Sequence, residues 1–391
     1  MYKVLTLNNI SVEGLRRLPR ELYEVASEIT HPDAIMVRSA KMHEMAIPDS
    51  LLAVARAGAG VNNIPLDRMS AAGVPVFNAP GANANAVKEL VIAGMLLAAR
   101  NICQAWRYVE QLQTDGEQLN KAVESGKKQF VGYELPGRTL GVIGLGAIGV
   151  QVANAAHSLG MHVVGYDPAL TVQRAWQLSS GVAQARSLDE LFSRADFLTL
   201  HVPLAPATRA LVNDARIGLM PDQAVVLNFA RGEIVDEDAM LKALASGKLG
   251  AYISDFPSRK LIGQDRVISL PHLGASTHEA ESNCAVMVAE NLRAYLEDGL
   301  IRNSVNFPEA DLPRAGAFRL TIANMNVPNM VGRISTCIGD AGLNIEDLLN
   351  KSRGDVAYTI IDIDGQVPAA TLEAISAIDG VLRVRDLGRG S

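Results

Sequence analysis

The segment Gly144-Leu145-Gly146-Ala147-Ile148-Gly149 follows an apolar run, Leu140 to Ile143, and opens a stretch of helical spacing that stops at Gly160. Asp167 stands 18 residues past the last of these glycines, at the end of the next apolar run, Met161 to Tyr166. Strand, glycine-rich turn, helix and acid in this order constrain the chain to a βαβ unit that binds a dinucleotide. The first glycine permits the tight turn, the second lets the backbone approach a pyrophosphate, and the third lets helix pack on strand. The helix N-terminus adds N–H groups and a positive dipole. Gly144, Gly146, Ala147, Ile148 and Gly149 are therefore candidate phosphate contacts. Asp167 is the candidate for the adenosine ribose hydroxyls, and its charge would repel a 2′-phosphate, which favours NAD over NADP.

The surrounding sequence continues the alternation. Further apolar runs at Phe197 to Leu200, Ala224 to Asn228, Gly250 to Ser254 and Val267 to Leu270 each end in a polar loop. In an open α/β sheet such loops gather outside the carboxyl ends of the strands. From Met1 to about Phe77 short apolar runs (Val4 to Leu7, Ala34 to Val37, Leu52 to Ala57, Val74 to Phe77) predict a second parallel sheet. Ala86 to about Gln113 is free of proline and predicts one long, deeply buried helix. Another helix is expected over Glu279 to Leu296. Beyond Gly299, Pro308 and Pro313, the order of runs from Phe318 to Asp386 predicts βαββαβ, a ferredoxin-like unit. The fold class is thus α/β, with two Rossmann-like, doubly wound parallel-sheet domains and a small C-terminal domain.

Charge narrows the partners. Lys plus Arg number 36 against 42 Asp plus Glu, a net −6, which argues against a nucleic-acid surface and requires any anionic ligand to be held by a few placed cations. Cys103, Cys284 and Cys337 show no metal-ligand spacing, so reduced thiols and no metal site are expected. The longest apolar run, Leu90 to Ala99, is about half a membrane span. The opening Met1 to Leu7 reads as a strand without the features of a signal peptide, so a cytoplasmic location and no membrane partner are expected.

Several motifs together carry a resemblance. Gly144 to Gly149, His201-Val202-Pro203 with Thr208, Asn228-Phe229-Ala230-Arg231-Gly232 and Pro271-His272-Leu273-Gly274-Ala275-Ser276-Thr277 resemble the successive signatures of the D-isomer-specific 2-hydroxyacid dehydrogenases. The Pro-His-Leu-Gly-Ala-Ser-Thr ending, Phe77-Asn78-Ala79-Pro80-Gly81 and the C-terminal unit are similar to the short D-3-phosphoglycerate dehydrogenases with an ACT domain.

That resemblance implies a substrate domain over 1–85 and 275–305, an NAD-binding domain over 86–274 and an ACT domain over 316–391. It implies Arg231 as the cation for the substrate carboxylate and C2 oxygen, and His272 as the base for the hydroxyl proton; both types suit these tasks. Asp255 would hold the nicotinamide carboxamide. His201, Val202, Pro203, Thr208, Phe229, Ala230, Gly274 and Ala275 would line the cofactor beside Arg231 and His272. Arg38, Ser39 and Asn83 would face the substrate with Arg231 and His272, and Asn324, Asn326 and Asn344 would bind an amino-acid effector, serine, across a homodimer or homotetramer. Two departures stand out. Arg259 occupies the position of the glutamate that pairs with the histidine in the family, leaving Asp265, Glu279 or Glu281 as substitutes, and Asn329 stands where the effector motif has glycine.

The expected activity is NAD-dependent oxidation of D-3-phosphoglycerate to 3-phosphohydroxypyruvate, in serine biosynthesis. The alternatives are oxidation or reduction of another 2-hydroxy acid, such as 2-hydroxyglutarate or glyoxylate, and a weakly catalytic NAD and amino-acid sensor, which only Arg259 supports.

Overall fold

The computed structural model describes residues 1–388. The chain forms two compact units, one of Met1–Asn83 with His278–Ser391 and one of Ala84–Thr277. In the first unit, β1 (Tyr2–Leu7), β2 (Tyr23–Ala26), β3 (Ala34–Val37), β4 (Ala53–Arg56) and β5 (Val76–Phe77) form a sheet in the order β2-β1-β3-β4-β5. Every pairing is parallel. Ala34, Ile35, Met36 and Val37 are all buried, as a central parallel strand covered on both faces requires.

In the second unit, β6 (Thr139–Ile143), β7 (His162–Tyr166), β8 (Val182–Gln184), β9 (Phe197–Leu200), β10 (Ala224–Asn228), β11 (Leu249–Ser254) and β12 (Val267–Ser269) form a parallel sheet in the order β12-β11-β10-β9-β6-β7-β8. The order reverses between β6 and β9, the switch point at which a doubly wound sheet opens a crevice. The segment expected as one helix is two, Ala84–Ala99 and Ile102–Glu110. Asn101, at φ 51°, breaks it, because asparagine tolerates the left-handed region that ends a helix. Strands β2 and β8 were not anticipated; each is short and carries a charged or polar residue at an edge of its sheet.

The C-terminal part of the first unit has β13 (Phe318–Met325), β14 (Ile345–Arg353), β15 (Val356–Ile363) and β16 (Val381–Asp386), antiparallel in the order β14-β15-β13-β16. Helices Met330–Asp340 and Ala369–Ser376 complete the order βαββαβ. Leu320, Ile322, Ile361 and Ile363 form a core with Ile334, Ile338 and Ile375 of these helices. Alternate residues, Ala323, Tyr358 and Ile360, belong instead to the core of the five-stranded sheet, with Val288, Leu292 and Tyr295.

This second face captures the end of helix His278–Asp298. Arg385 Nη1 and Nη2 donate to Tyr295 O and Leu296 O, both at 2.9 Å, Arg319 Nη1 donates to Asp298 O at 3.0 Å, and Tyr358 Oη donates to Gly299 O at 2.8 Å. The last carbonyls of a helix lack partners within it, and cations there also meet the negative end of its dipole. Gly299, at φ +70°, closes the helix, and a Cβ there would lie 2.3 Å from Thr321 Cγ2. Arg319 is itself fully buried and forms a two-pronged pair with Asp362, Nε to Oδ1 at 2.6 Å and Nη2 to Oδ2 at 2.7 Å.

Asp362→Asn leaves the buried Arg319 charge uncompensated and is expected to lower stability by about 3–5 kcal/mol in urea unfolding. Burial alone would raise the Asp362 pKa, but its bonds from Arg319 and Ala315 N–H and the nearby guanidinium groups outweigh burial and hold it below its ordinary 3.8. A depressed carboxylate stabilises the fold fully above that value and loses the contribution as pH falls through the folded value. The asparagine variant should therefore show a weaker pH dependence of stability below pH about 4.

Candidate active site

The residues singled out in the second unit follow the carboxyl ends of its parallel strands. Gly144 leaves β6 at φ +89°, and a Cβ there would lie 2.5 Å from His201 O. A Cβ on Gly149 would lie 1.9 Å from Gly144 O, so this glycine is required for helix Ala147–Ser158 to pack on the turn. Gly146 caps the helix, and a Cβ on it would meet nothing within 4 Å. Two glycines thus serve the fold, and the middle one faces open space beside the first N–H groups of a helix, with Ala147 and Ile148 in its first turn.

Asp167 closes the turn after β7. Its Oδ2 accepts from Leu145 N at 2.8 Å and its Oδ1 from Ala169 N at 2.9 Å, which fixes the carboxylate beside the glycine loop. After β9, the His201 ring lies 3.0 Å from Thr199 Oγ1, and burial drives its pKa down to about 3, so it stays neutral. Val202 packs toward Gly144. Thr208 Oγ1 donates to Pro203 O at 2.6 Å and accepts from Ala205 N at 2.8 Å, pinning the following loop.

Asn228, fully buried at the end of β10, shapes the turn that carries Arg231. Its Nδ2 donates to Arg231 O at 2.8 Å and its Oδ1 accepts from Ala230 N at 3.2 Å. The Phe229 side chain is 7% exposed and belongs to the core with Val91 and Met95, so only its backbone faces the loop. Arg231 is exposed; its Nη1 donates to Ala230 O at 2.6 Å, and it forms no ion pair among the described residues. A braced backbone and an unpaired guanidinium suit capture of a carboxylate.

Asp255 follows β11 and is fully buried. Its Oδ2 accepts from Gly274 N at 3.0 Å, while Oδ1 is buried without a hydrogen-bond partner. Burial raises its pKa, opposed by the Gly274 N–H and by the charge of His272. A buried acceptor beside an exposed histidine is what an amide donor such as a carboxamide would complete. The His272 ring lies against Phe256, centroids 4.8 Å apart, and Ala275 follows Gly274 in the same turn. Arg259 is exposed, and no carboxylate among the described residues hydrogen-bonds the His272 ring.

In the first unit, Arg38 and Ser39 leave β3 and Asn83 lies beyond β5, at the same edge of the sheet. Asn83 Oδ1 is buried without a partner, and Arg38 pairs with Glu281. The three asparagines of the C-terminal sheet do not meet within one chain. Asn324 and Asn326 lie at the end of β13 and Asn344 just before β14; both strands run antiparallel to β15 between them, which puts the two places at opposite ends of the sheet. Asn324 is buried, with Nδ2 on Met325 O at 2.7 Å, and Asn326 Nδ2 donates to Gly354 O at 3.0 Å. Asn344 is exposed. Asn329 sits at φ 62°, a left-handed position asparagine accepts in place of glycine.

Thr199 and the bracing role of Asn228 went unread in the sequence. An asparagine closing a strand before a turn is the signal that would have found the second. Among the described residues there is no cluster able to hold a metal, the three cysteines are free, and no helix is long and apolar enough to cross a membrane.

Comparison with known proteins gives the family and the fold. Residues 92–280 match the D-isomer specific 2-hydroxyacid dehydrogenase, NAD binding domain. The chain is 35% identical over 370 residues to the D-3-phosphoglycerate dehydrogenase of Haemophilus influenzae, covering 92% of this chain and 84% of that one. It is 37% identical over 335 residues to that of Methanocaldococcus jannaschii, covering 83% of this chain but only 61% of the relative's length. Among solved structures, the apo D-mandelate dehydrogenase of Rhodotorula graminis superposes with a TM-score of 0.66 at 25% identity, over 80% of this chain and 99% of that one. The NAD+-bound 3-phosphoglycerate dehydrogenase of Entamoeba histolytica shares the fold, with a TM-score of 0.60 at 24% identity over 78% and 98% of the two chains. The protein belongs to the D-isomer specific 2-hydroxyacid dehydrogenases, NAD-dependent oxidoreductases.

Proposed function

We propose that the chain oxidises D-3-phosphoglycerate to 3-phosphohydroxypyruvate with NAD, as the first step of a route to serine. The observation that carries this reading is the second unit's strand-end set: an unpaired Arg231 on a braced turn, and the buried, unpartnered Asp255 Oδ1 next to His272. The names of the Haemophilus influenzae and Methanocaldococcus jannaschii relatives support the choice of substrate.

Gly146 and the first turn of helix Ala147–Ser158 would hold the pyrophosphate, Asp167 the ribose and Asp255 the carboxamide. NAD, when bound, accepts the hydride from C2. Arg231 holds the carboxylate and the C2 oxygen, and its fixed charge favours the carbonyl as it forms. His272 takes the hydroxyl proton at a ring nitrogen. His201, neutral and turned to Thr199, takes no part in proton transfer. In the first unit Arg38, Ser39 and Asn83 would take the C3 phosphate. The C-terminal sheet is read as an ACT domain, and because its two asparagine sites lie at opposite ends, an effector such as serine would be bound between two copies in a homo-oligomer.

NADH formation from D-3-phosphoglycerate, measured against 2-hydroxyglutarate over pH 6 to 10, tests the substrate; a clear preference for 2-hydroxyglutarate would replace it. His272→Gln should lower kcat by about 10²–10⁴-fold with NADH binding retained, whereas His201→Gln should leave the shape of the pH profile unchanged. Gly146→Ala should weaken NADH binding without changing the unfolding midpoint. Gly149→Ala, whose Cβ would strike Gly144 O, should lower the midpoint as well.

A further inference from the structure

The five-stranded sheet has a switch point of its own. Its order reverses between β1 and β3, and ligands in open parallel sheets sit outside the carboxyl ends of the strands at such a point. There the loops leaving β1 and β3, with the first turn of helix His278–Asp298, enclose a cavity of about 240 Å³ whose lining includes Asn9, Ser11, Arg38, His278, Glu281 and Ser282. Arg38 Nη2 donates to Glu281 Oε1 at 2.5 Å.

The frame around this pair is held in place. Ser39 N and Ala40 N donate to Asn8 Oδ1 at 3.0 and 2.6 Å, and Arg56 Nε donates to Arg38 O at 3.0 Å. The Ser11 and Ser282 hydroxyls, 3.0 Å apart, tie the loop after β1 to the helix. The pair itself is a single, solvated contact. Arg38 uses one nitrogen where a two-nitrogen fork is available, and the two side chains keep 39% and 37% of their surface exposed. Such a solvated pair is weak and open to exchange.

We propose that Glu281 is a specificity-determining residue: the counter-ion that an anionic group of the substrate must displace from Arg38. The proposal rests on the reading of Arg38 as the phosphate-binding cation. Arg38 and Glu281 together carry no net charge, so a phosphate gains the whole guanidinium fork, Nη2 included, and its uncompensated charge only by pushing the carboxylate aside. A substrate with a neutral hydroxyl at that position meets no such competition. Glu281 thereby sets how far phosphorylated 2-hydroxy acids are preferred over their unphosphorylated counterparts.

The test compares kcat and KM for D-3-phosphoglycerate and D-glycerate in the wild type, Glu281→Gln and Glu281→Asp. Glu281→Gln should lower KM for D-3-phosphoglycerate about fivefold and change that for D-glycerate less than roughly twofold, with kcat little altered, whereas Glu281→Asp should keep the wild-type ratio. A KM for D-3-phosphoglycerate that is unchanged or raised in Glu281→Gln overturns the proposal. Calorimetric titration of the whole chain with D-3-phosphoglycerate reads the same affinity without turnover. Tighter binding by Glu281→Gln that disappears when Arg38→Gln is added supports the proposal, and equal binding overturns it. Failure of the wild type to oxidise any 2-hydroxy acid would count against the dehydrogenase reading alone, since the titration still decides the role of Glu281.

Discussion

Parallel strand pairing is the constraint on which the site depends. Every pairing in the five- and seven-stranded sheets is parallel, so each chain segment leaves its sheet at the same edge as its neighbours. Residues as distant in sequence as Gly144, Asp167, His201, Arg231 and Asp255 therefore follow strand ends on one edge of one sheet. Buried polar side chains stabilise that edge: Asn228 braces the Arg231 turn and Asp255 ties down Gly274. Burying a polar atom without a partner is costly, and Asp255 Oδ1 is buried without one, which is the feature the proposed carboxamide contact would satisfy.

The C-terminal sheet is built into the first unit by a different interaction. A helix end exposes carbonyls that must be met, and Arg319, Arg385 and Tyr358 meet them from the sheet face that carries no helix. The same face contributes Tyr358 and Ile360 to the core of the five-stranded sheet. The first turn of that same 21-residue helix carries Glu281. At 1.5 Å per residue it is about 30 Å long, so one rigid element joins the βαββαβ unit to the Arg38 cavity.

Much of this was legible in the chain, and the legible parts share a physical cause. Strands β9 and β10 fall on their apolar runs, because a strand buried on both faces leaves a continuous signature. The edge strands β2 and β8 left none, since Glu24 and Gln184 are exposed there. The break at Asn101 was hidden because an asparagine in a helical pattern carries no mark of the left-handed turn it makes. Glu281 was visible only as one acid among several, with no sign of the arginine it would meet 243 residues away.

The sequence by itself determined the chemistry at each strand end: which turns carry glycine, which carry an acid, a guanidinium or an imidazole. These are local properties, written in consecutive residues. Only the tertiary structure decided what each group does with its partners. It set the His201 ring against Thr199 and lowered its pKa by desolvation, left Arg231 without an ion-pair partner among the described residues, gave Arg38 a counter-ion and separated Asn324 from Asn344. Charge state and pairing depend on solvent exclusion and on contacts between distant segments, and those exist only once the strands have taken their order.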